Sequence, residues 1–244
     1  MSQHLQDPPV KGSERLDRRV IRRVLDSMQR VHIPAFFEAA AAARIYQCLT
    51  TETPWQLSLN AGERHIDLTR AQFESLTEAE RTRLLDSVNR SAQTGFQYIF
   101  ENFPIYDLYV KGEFRDHYLM RVYEYLNSPD FLGFARAVTG LADIALADAQ
   151  ATVYRPGHFL TTHDDLVEGK HRLAAYVLSF TPHWRADWGG ILQFIDADGH
   201  IAEGFMPTFN ALNLFRVPQR HSVSYVTPAG NAGRYSITGW LRSA

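Results

Sequence analysis

Residues 154–166 read YRPGHFLTTHDDL, a turn-like start and an extended stretch that ends in one histidine and two aspartates. Successive side chains of an extended chain point to opposite faces. We therefore expect His163 and Asp165 to project to one side and Asp164 to the other. His163 and Asp165 could then be two ligands of a metal ion, but His-x-Asp is common by chance, and a metal site needs a third ligand.

Four histidines follow this stretch, and their surroundings differ. His183 follows a proline in a tryptophan-rich loop and His200 follows the turn-like DADG, so both are expected to be exposed, and His171 belongs to a charged connection. His221 instead opens the strand-like run HSVSYVT directly after a compact turn, which places it best to face inward. Two histidines and one carboxylate form the facial triad of non-haem Fe(II) oxygenases, which leaves three coordination positions open.

The last predicted strand carries a second group of interest. Arg234 lies thirteen residues beyond His221 in RYSITGWLR, and Ser236 shares its face because it is two residues further on. A planar guanidinium binds a carboxylate through two parallel hydrogen bonds, and a neighbouring hydroxyl adds a third. The pair suits a dicarboxylic co-substrate.

Around these residues the sequence has the residue pattern of an antiparallel β protein. From about residue 142, short runs rich in β-branched and aromatic residues alternate with Gly, Pro, Asn and Asp at spacings of roughly a dozen residues. This spacing predicts a sandwich, barrel or jelly roll, with DADG at 196–199 as a hairpin turn.

The first half of the chain is predicted to be mostly helical. A basic amphipathic pattern covers 14–31, and an alanine-rich helix is expected over 34–53 with Pro34 near its start. A capping-box pattern of Thr77 and Glu80 opens a third predicted helix over 76–100. Two more helices are predicted after it, over 115–128 and 130–141. A short strand is predicted before it, over 55–60.

The domain organisation follows from these patterns. We expect a loose leader over 1–13 and a single domain over 14–244, with a helical part over 14–142 that supports a catalytic β core over about 143–244.

Composition excludes several classes of protein. The 244 residues are 45% hydrophobic and 21% charged, which is ordinary for a globular protein, and a net charge of −2 gives no basic footprint for nucleic acid. Cys48 is the single cysteine, so an intramolecular disulfide and a cysteine-rich zinc module are excluded. With no long apolar run, we expect no membrane span and a cytoplasmic protein.

Ordered together, these motifs resemble the Fe(II)/2-oxoglutarate-dependent dioxygenases, and within them the prolyl-hydroxylase-like branch. The resemblance covers about residues 150–244 and rests on six motifs in order: YRPGHFLTTHDD, RLAAYVLSF, WGGILQF, NALNLF, PQRHSV and RYSITGWL. It implies an α+β fold with a mainly β core, a double-stranded β-helix of the jelly-roll or cupin-like kind, supported by N-terminal helices.

The resemblance also implies a ligand set and co-substrates. Fe(II) would be held by His163, Asp165 and His221. The distal carboxylate of 2-oxoglutarate would pair with Arg234 beside Ser236, and Tyr154 would also contact 2-oxoglutarate. Dioxygen is the other co-substrate, with ascorbate as a supporting reductant.

The implied activity is hydroxylation of an aliphatic C–H, with a prolyl residue of a protein or peptide as one expected target and succinate and CO2 as products. Two alternatives stay open at this point. One is a hydroxylase of a free amino acid or another small molecule, and the other is a non-catalytic, cupin-like metal-binding or sensor protein. The substrate is expected to be read by the loops at 60–72, 102–117 and 181–190.

Overall fold

The structure is a computed structural model that describes residues 7–61 and 64–244. All of its α-helices lie in the first part of the chain. They are α1 (Arg18–Met28), α2 (Ala39–Thr51), α3 (Arg70–Ser75), α4 (Glu78–Ser91), α5 (Ile105–Lys111), α6 (Tyr118–Leu126) and α7 (Pro129–Thr139). In the described part of the chain, no helix is both long enough and apolar enough to cross a membrane.

The strands fall into an early group and a late group. The early strands are β1 (Arg30–Pro34), β2 (Gln56–Ala61), β3 (Arg64–Thr69) and β4 (Tyr98–Phe103). The late strands are β5 (Leu146–Ala147), β6 (Gln150–Tyr154), β7 (Phe159–His163), β8 (Arg172–Phe180), β9 (Leu192–Ile195), β10 (Ile201–Phe205), β11 (Phe209–Arg216), β12 (His221–Val223) and β13 (Arg234–Arg242).

The strands form one antiparallel sheet that folds back on itself. Its order is β1-β11-β8-β13-β6-β4-β7-β12-β9-β10, with the β2–β3 hairpin added beside β4 and β5 beside β13. Phe194 of β9 lies 5.2 Å from Phe215 of β11 between ring centroids, so the far end of the sheet covers its first half. This nearly closed barrel confirms the predicted mainly β, jelly-roll-like core with supporting helices.

The helices cover the outer face of the sheet half that contains β8, β11 and β13. The largest hydrophobic cluster combines side chains of α1, α2, α6 and α7 with residues on the outer face of these strands, such as Leu178, Leu214 and Ile237. A second cluster lies between the two sheet halves, where Ala175 and Val177 meet residues of β9 and β10. Ala175 and Val177 also line a cavity between the halves, which is available for a site.

Helix starts follow the capping chemistry that the sequence predicts. Thr77 accepts a hydrogen bond from the Glu80 backbone N–H, and the Glu80 carboxylate accepts from the Thr77 backbone N–H at 2.8 Å. These reciprocal bonds satisfy donors that a helix start leaves free. The capping box of α4 is confirmed.

Two predicted helices are shorter than expected because strands take part of their length. The helix predicted over 34–53 begins only at Ala39, since Pro34 ends β1, which pairs with β11. The helix predicted over 76–100 ends at Ser91, and Tyr98–Phe103 forms β4. The aromatic and β-branched run after Gly95 suits a strand with partners on both sides, so tertiary pairing outweighs the helical pattern.

Other predicted elements agree with the structure. The strand predicted over 55–60 is β2, and the DADG turn connects β9 to β10, with the Asp196 N–H donating to the His200 carbonyl at 3.0 Å. The hairpin partner of β2, however, was not predicted.

The predicted loose leader needs a correction. Residues 1–6 lie outside the described residues, but 7–13 is held against the helical layer. The Ser13 N–H donates to the Phe36 carbonyl at 2.7 Å, and Val10 packs on the main core. The extent of the single domain, 14–244, stays a prediction.

Candidate active site

The three predicted metal ligands converge inside the barrel. His163 ends β7 and His221 begins β12, and the antiparallel ladder places these two residues directly opposite each other. Asp165 Oδ1 lies 3.3 Å from His163 Nε2, and its Oδ2 lies 3.5 Å from His221 Nε2. One ligand atom from each residue lies within 4.8 Å of the others. In the described residues this is the only group of three or more such side chains that could hold a metal ion.

The route by which Asp165 reaches this point differs from the predicted alternation along a strand. β7 ends at His163, and Asp165 adopts a left-handed backbone conformation with φ of 66°. A turn therefore brings the carboxylate back to the histidine. Asp164 is exposed at the cavity rim and accepts a hydrogen bond from the Leu166 N–H at 3.0 Å. The prediction that Asp165, and not Asp164, joins His163 agrees with this geometry.

Backbone carbonyls orient both imidazoles. His163 Nδ1 lies 3.0 Å from the Thr161 carbonyl oxygen, and His221 Nδ1 lies 2.7 Å from the Gln219 carbonyl oxygen. A carbonyl can only accept a hydrogen bond, so each Nδ1 carries a proton, and Nε2, which faces Asp165, is the nitrogen available to a metal. This is the tautomer that a metal requires.

Burial and mutual contact set the charges of these ligands. Burial lowers the pKa of His221 to about 4, and the nearby His163 acts in the same direction. Burial opposes ionisation of Asp165, but the adjacent imidazoles of His163 and His221 hold the pKa of its carboxyl below the ordinary value. The centre combines one carboxylate with two imidazoles, a donor set that suits a divalent cation.

Arg234 lies in the same cavity and is almost fully buried. Its exposed fraction is 4%, and its Nε has no hydrogen-bond partner. Among the described residues, no carboxylate lies within ion-pair distance of this guanidinium. Its carbon Cζ lies 4.9 Å from the centroid of the Tyr154 ring, and burial lowers its pKa. A buried cation without a counter-ion is costly, which indicates that an anionic ligand completes it.

The surroundings of Arg234 are polar but held in place by the protein. Ser236 Oγ lies 2.9 Å from Thr152 Oγ1, and both hydroxyls are buried. Tyr154 stacks on Phe100 at 5.3 Å, and burial raises the pKa of its hydroxyl, so it stays a phenol. Arg234, Ser236 and Tyr154, the three predicted co-substrate residues, are thus neighbours on β13 and β6, where Arg234 is paired with Tyr154.

The cavity that joins these groups has a volume of about 480 Å³. Its walls include three residues that sequence reasoning did not select as site residues. Arg172 stacks on Trp240, with Cζ 3.4 Å from the ring centroid, and donates to the Asp165 carbonyl at 3.1 Å. Tyr98 of β4 also faces the cavity. Only the fold brings them to the metal ligands, since they lie on different strands.

The donor set and the cavity fit Fe(II) and 2-oxoglutarate. Two imidazole nitrogens and one carboxylate leave open positions for a chelating co-substrate and dioxygen. A dicarboxylate bound there would supply the counter-ion that Arg234 lacks.

A comparison with protein families gives an independent assignment. Residues 149–242 match the family described as the 2OG-Fe(II) oxygenase superfamily. The matched segment begins just before β6 and contains all three candidate ligands and Arg234.

Two curated proteins are similar to about half of the chain. A prolyl 3-hydroxylase OGFOD1 from Mus musculus is 33% identical over 119 residues, which are 46% of this chain and 21% of that protein. A prolyl 3,4-dihydroxylase OGFOD1 from Ostreococcus tauri is 31% identical over 137 residues, or 51% of this chain and 26% of that protein. The matched segments thus span about a quarter or less of these relatives.

Solved structures extend the likeness to nearly the whole fold. A Pseudomonas putida prolyl-4-hydroxylase has a TM-score of 0.58 at 18% identity, covering 93% of this chain and 100% of that chain. A Trichoplax adhaerens prolyl hydroxylase, solved with a hypoxia inducible factor peptide fragment, has a TM-score of 0.61 at 15% identity, covering 93% and 89%. Residues 149–242 are therefore similar to the 2OG-Fe(II) oxygenase superfamily, and the fold of the chain is similar to that of the two prolyl hydroxylases.

Proposed function

We propose that this protein is an Fe(II)- and 2-oxoglutarate-dependent oxygenase that hydroxylates a prolyl residue of a peptide or protein, with release of succinate and CO2. One observation carries the proposal: the three candidate ligands and the buried, unpaired Arg234 line the same cavity. A metal-binding protein that only sensed iron would have no need for a buried cation beside the metal.

The residues of the chain have separate tasks in this proposal. His163, Asp165 and His221 hold Fe(II) on one face, and Arg234 orients the co-substrate through its far carboxylate. Ser236 adds a hydroxyl beside that carboxylate. When bound, Fe(II) with 2-oxoglutarate and dioxygen supplies the oxidation that inserts oxygen into an aliphatic C–H. The protein contributes position and exclusion of water.

A peptide substrate is supported by the open side of the cavity. Leu166 and Val167 line the cavity and are largely exposed, as is Phe96 next to His163. Exposed apolar residues around a site are typical of surfaces that bind other chains. The similar curated proteins are named prolyl hydroxylases, and one structural neighbour was solved with a peptide fragment.

The test has two stages. Protein reconstituted with Fe(II) without oxygen and then exposed to air should convert 2-oxoglutarate to succinate, and Asp165→Ala should not, while Asp164→Ala serves as the matched control. Proline-containing peptides should then gain the mass of one oxygen atom. Wild-type protein that binds Fe(II) but forms no succinate, with or without peptides, would favour a sensor and contradict the proposal. Turnover with free amino acids alone would identify a small-molecule hydroxylase instead.

A further inference from the structure

A chain of hydrogen bonds runs from the β2–β3 hairpin to the wall of the cavity. His65 Nδ1 lies 2.5 Å from the hydroxyl oxygen of Tyr98, and His65 Nε2 lies 2.9 Å from Asp67 Oδ2. The other carboxylate oxygen of Asp67 contacts the hydroxyl of Ser58. Asn102 Nδ2 donates to that same hydroxyl at 2.7 Å. Five polar side chains from three strands are linked in one line.

The carboxylate in the middle fixes the direction of every bond. An ionised Asp67 can only accept, so His65 Nε2 carries the imidazole proton. In the neutral ring, Nδ1 then has only a lone pair, and Tyr98 must donate its hydroxyl proton to it. On the other side Ser58 donates to Asp67 and accepts from Asn102. The Tyr98 hydroxyl is therefore committed as a donor to His65, and its remaining hydrogen-bonding capacity is that of an acceptor.

Tyr98 and its partner His65 line the same cavity as the candidate metal ligands. Tyr98, Phe100 and Asn102 alternate along β4 and all three line the cavity. The Phe96 ring contacts both Tyr98 and His163, with centroid distances of 5.7 Å and 5.3 Å. Burial raises the pKa of Tyr98 to about 12, and the negative charge of Asp67 acts in the same direction. The side chain remains a phenol at neutral pH.

We propose that Tyr98 is a specificity-determining residue that accepts a hydrogen bond from a backbone amide N–H of the substrate, with His65 and Asp67 as positioning residues. The inference rests on the proposed function. The nitrogen of a prolyl residue inside a peptide has no hydrogen, so the donor is the N–H of a residue next to the target proline. The cavity would in this way recognise the peptide backbone beside the proline as well as its ring.

The first experiment reads the direction of the chain without any substrate. The full-length protein, labelled with 15N-histidine and loaded with Zn(II) in place of Fe(II), gives the tautomer of each histidine by NMR. We expect His65 to be protonated at Nε2 and unprotonated at Nδ1, and Tyr98→Phe to shift only the His65 Nδ1 signal. A His65 protonated at Nδ1, or insensitive to Tyr98→Phe, overturns the proposal.

The second experiment tests recognition with a defined probe. The probe is a capped alanine peptide with one central proline, compared with analogues in which each backbone N–H in turn is replaced by an ester oxygen. With wild-type protein, the ester at one position next to the proline should lower kcat/KM about tenfold, which corresponds to the loss of one hydrogen bond. With Tyr98→Phe, the same ester should lower kcat/KM less than about twofold. Tyr109→Phe, which changes an exposed phenol on α5, is the matched control and should behave as wild type.

The positioning residues have their own readout. His65→Gln offers Tyr98 an amide oxygen as acceptor and should restore most of the ester sensitivity that His65→Phe loses. The proposal is contradicted if each ester changes kcat/KM equally in wild-type and Tyr98→Phe proteins. It is also contradicted if the parent peptide is neither bound nor oxidised. A higher KM of Tyr98→Phe for 2-oxoglutarate instead of peptide would contradict it too. If wild-type protein forms no succinate either with or without peptide, the proposed function fails, and the His65 tautomer is still measured on the same protein.

Discussion

Replacement of Arg234 by methionine should have opposite effects on the unliganded fold and on co-substrate binding. The guanidinium is buried without a carboxylate partner, and its Nε has no hydrogen bond. Removal of such a charge relieves its desolvation cost, and methionine has a similar length and can still pack on Tyr154. We expect the free energy of unfolding of metal-free protein to rise by about 1–4 kcal/mol, the range seen when buried charges become apolar.

Binding of 2-oxoglutarate should change in the other direction. Two charge-assisted hydrogen bonds from the guanidinium fork contribute about 1.5–3 kcal/mol each, so their loss weakens binding by roughly 3–6 kcal/mol, or about 10²- to 10⁴-fold. Arg234→Lys keeps the charge but not the fork and should lie between wild type and Arg234→Met. Urea denaturation of metal-free protein and titration of 2-oxoglutarate into Zn(II)-loaded protein measure the two quantities.

The matched control is an arginine of the same strand that has a partner. Arg242 Nη1 lies 3.7 Å from Asp148 Oδ2, and its Nε donates to the Lys170 carbonyl at 2.9 Å. Arg242→Met should lose a little stability and leave 2-oxoglutarate affinity unchanged. If Arg234→Met is less stable than wild type and binds 2-oxoglutarate equally well, Arg234 is structural and its assignment to the co-substrate is refuted.

Three further predictions concern the metal, pH and the cavity wall. His221→Ala should lower metal affinity at least about 100-fold, whereas His200→Ala, on the exposed β9–β10 turn, should leave it unchanged in a competitive chelator titration. Burial lowers the pKa of His158 from 6.5 to about 4, so this imidazole binds a proton more readily in the unfolded chain. The free energy of unfolding should therefore fall by about 3 kcal/mol as the pH is lowered from 6.5 to 4. Urea denaturation should show a smaller loss for His158→Gln, and an equal loss would contradict this origin. Gly190 has a φ of +62°, and a Cβ there would lie 3.2 Å from Arg234 Cδ. Gly190→Ala should therefore destabilise the fold by about 1–3 kcal/mol and weaken 2-oxoglutarate binding in calorimetry. Unchanged binding would show that the Arg234 side chain accommodates the added Cβ.

The predicted site residues that lie together in the structure are those that residue type indicates. His163, Asp165 and His221 carry metal-ligating side chains in strand-like surroundings, and Arg234 at the start of the last predicted strand carries a guanidinium that suits a carboxylate. For Asp165 the geometry differs from the expectation. Alternation along a strand predicted its direction, but a left-handed residue after the strand produces the contact.

The remaining wall could not be predicted, because it depends on pairing between distant strands. The first three residues of β4 fall at the end of the helix predicted over 76–100, and the helical pattern gives no local sign that 98–103 pairs with both β6 and β7. Tyr98 was consequently placed on a helix with no relation to His163. Arg172 and Trp240 were likewise separate in sequence, although β8 and β13 are neighbours in the sheet.

The cavity is divided between two tasks, and the fold explains the division. Its closed end lies between β6 and β13, where Arg234, Tyr154 and Ser236 are almost inaccessible to solvent. A charged co-substrate would be held strongly there because water does not compete for the guanidinium. The open end is lined by Tyr98 of β4, His65 of the β2–β3 hairpin and the turn after β7, where Leu166 and Val167 are exposed. The candidate metal ligands come from β7, the turn after it and β12. Substitutions at the closed end should therefore alter the requirement for 2-oxoglutarate, and those on the hairpin side should alter the choice of substrate.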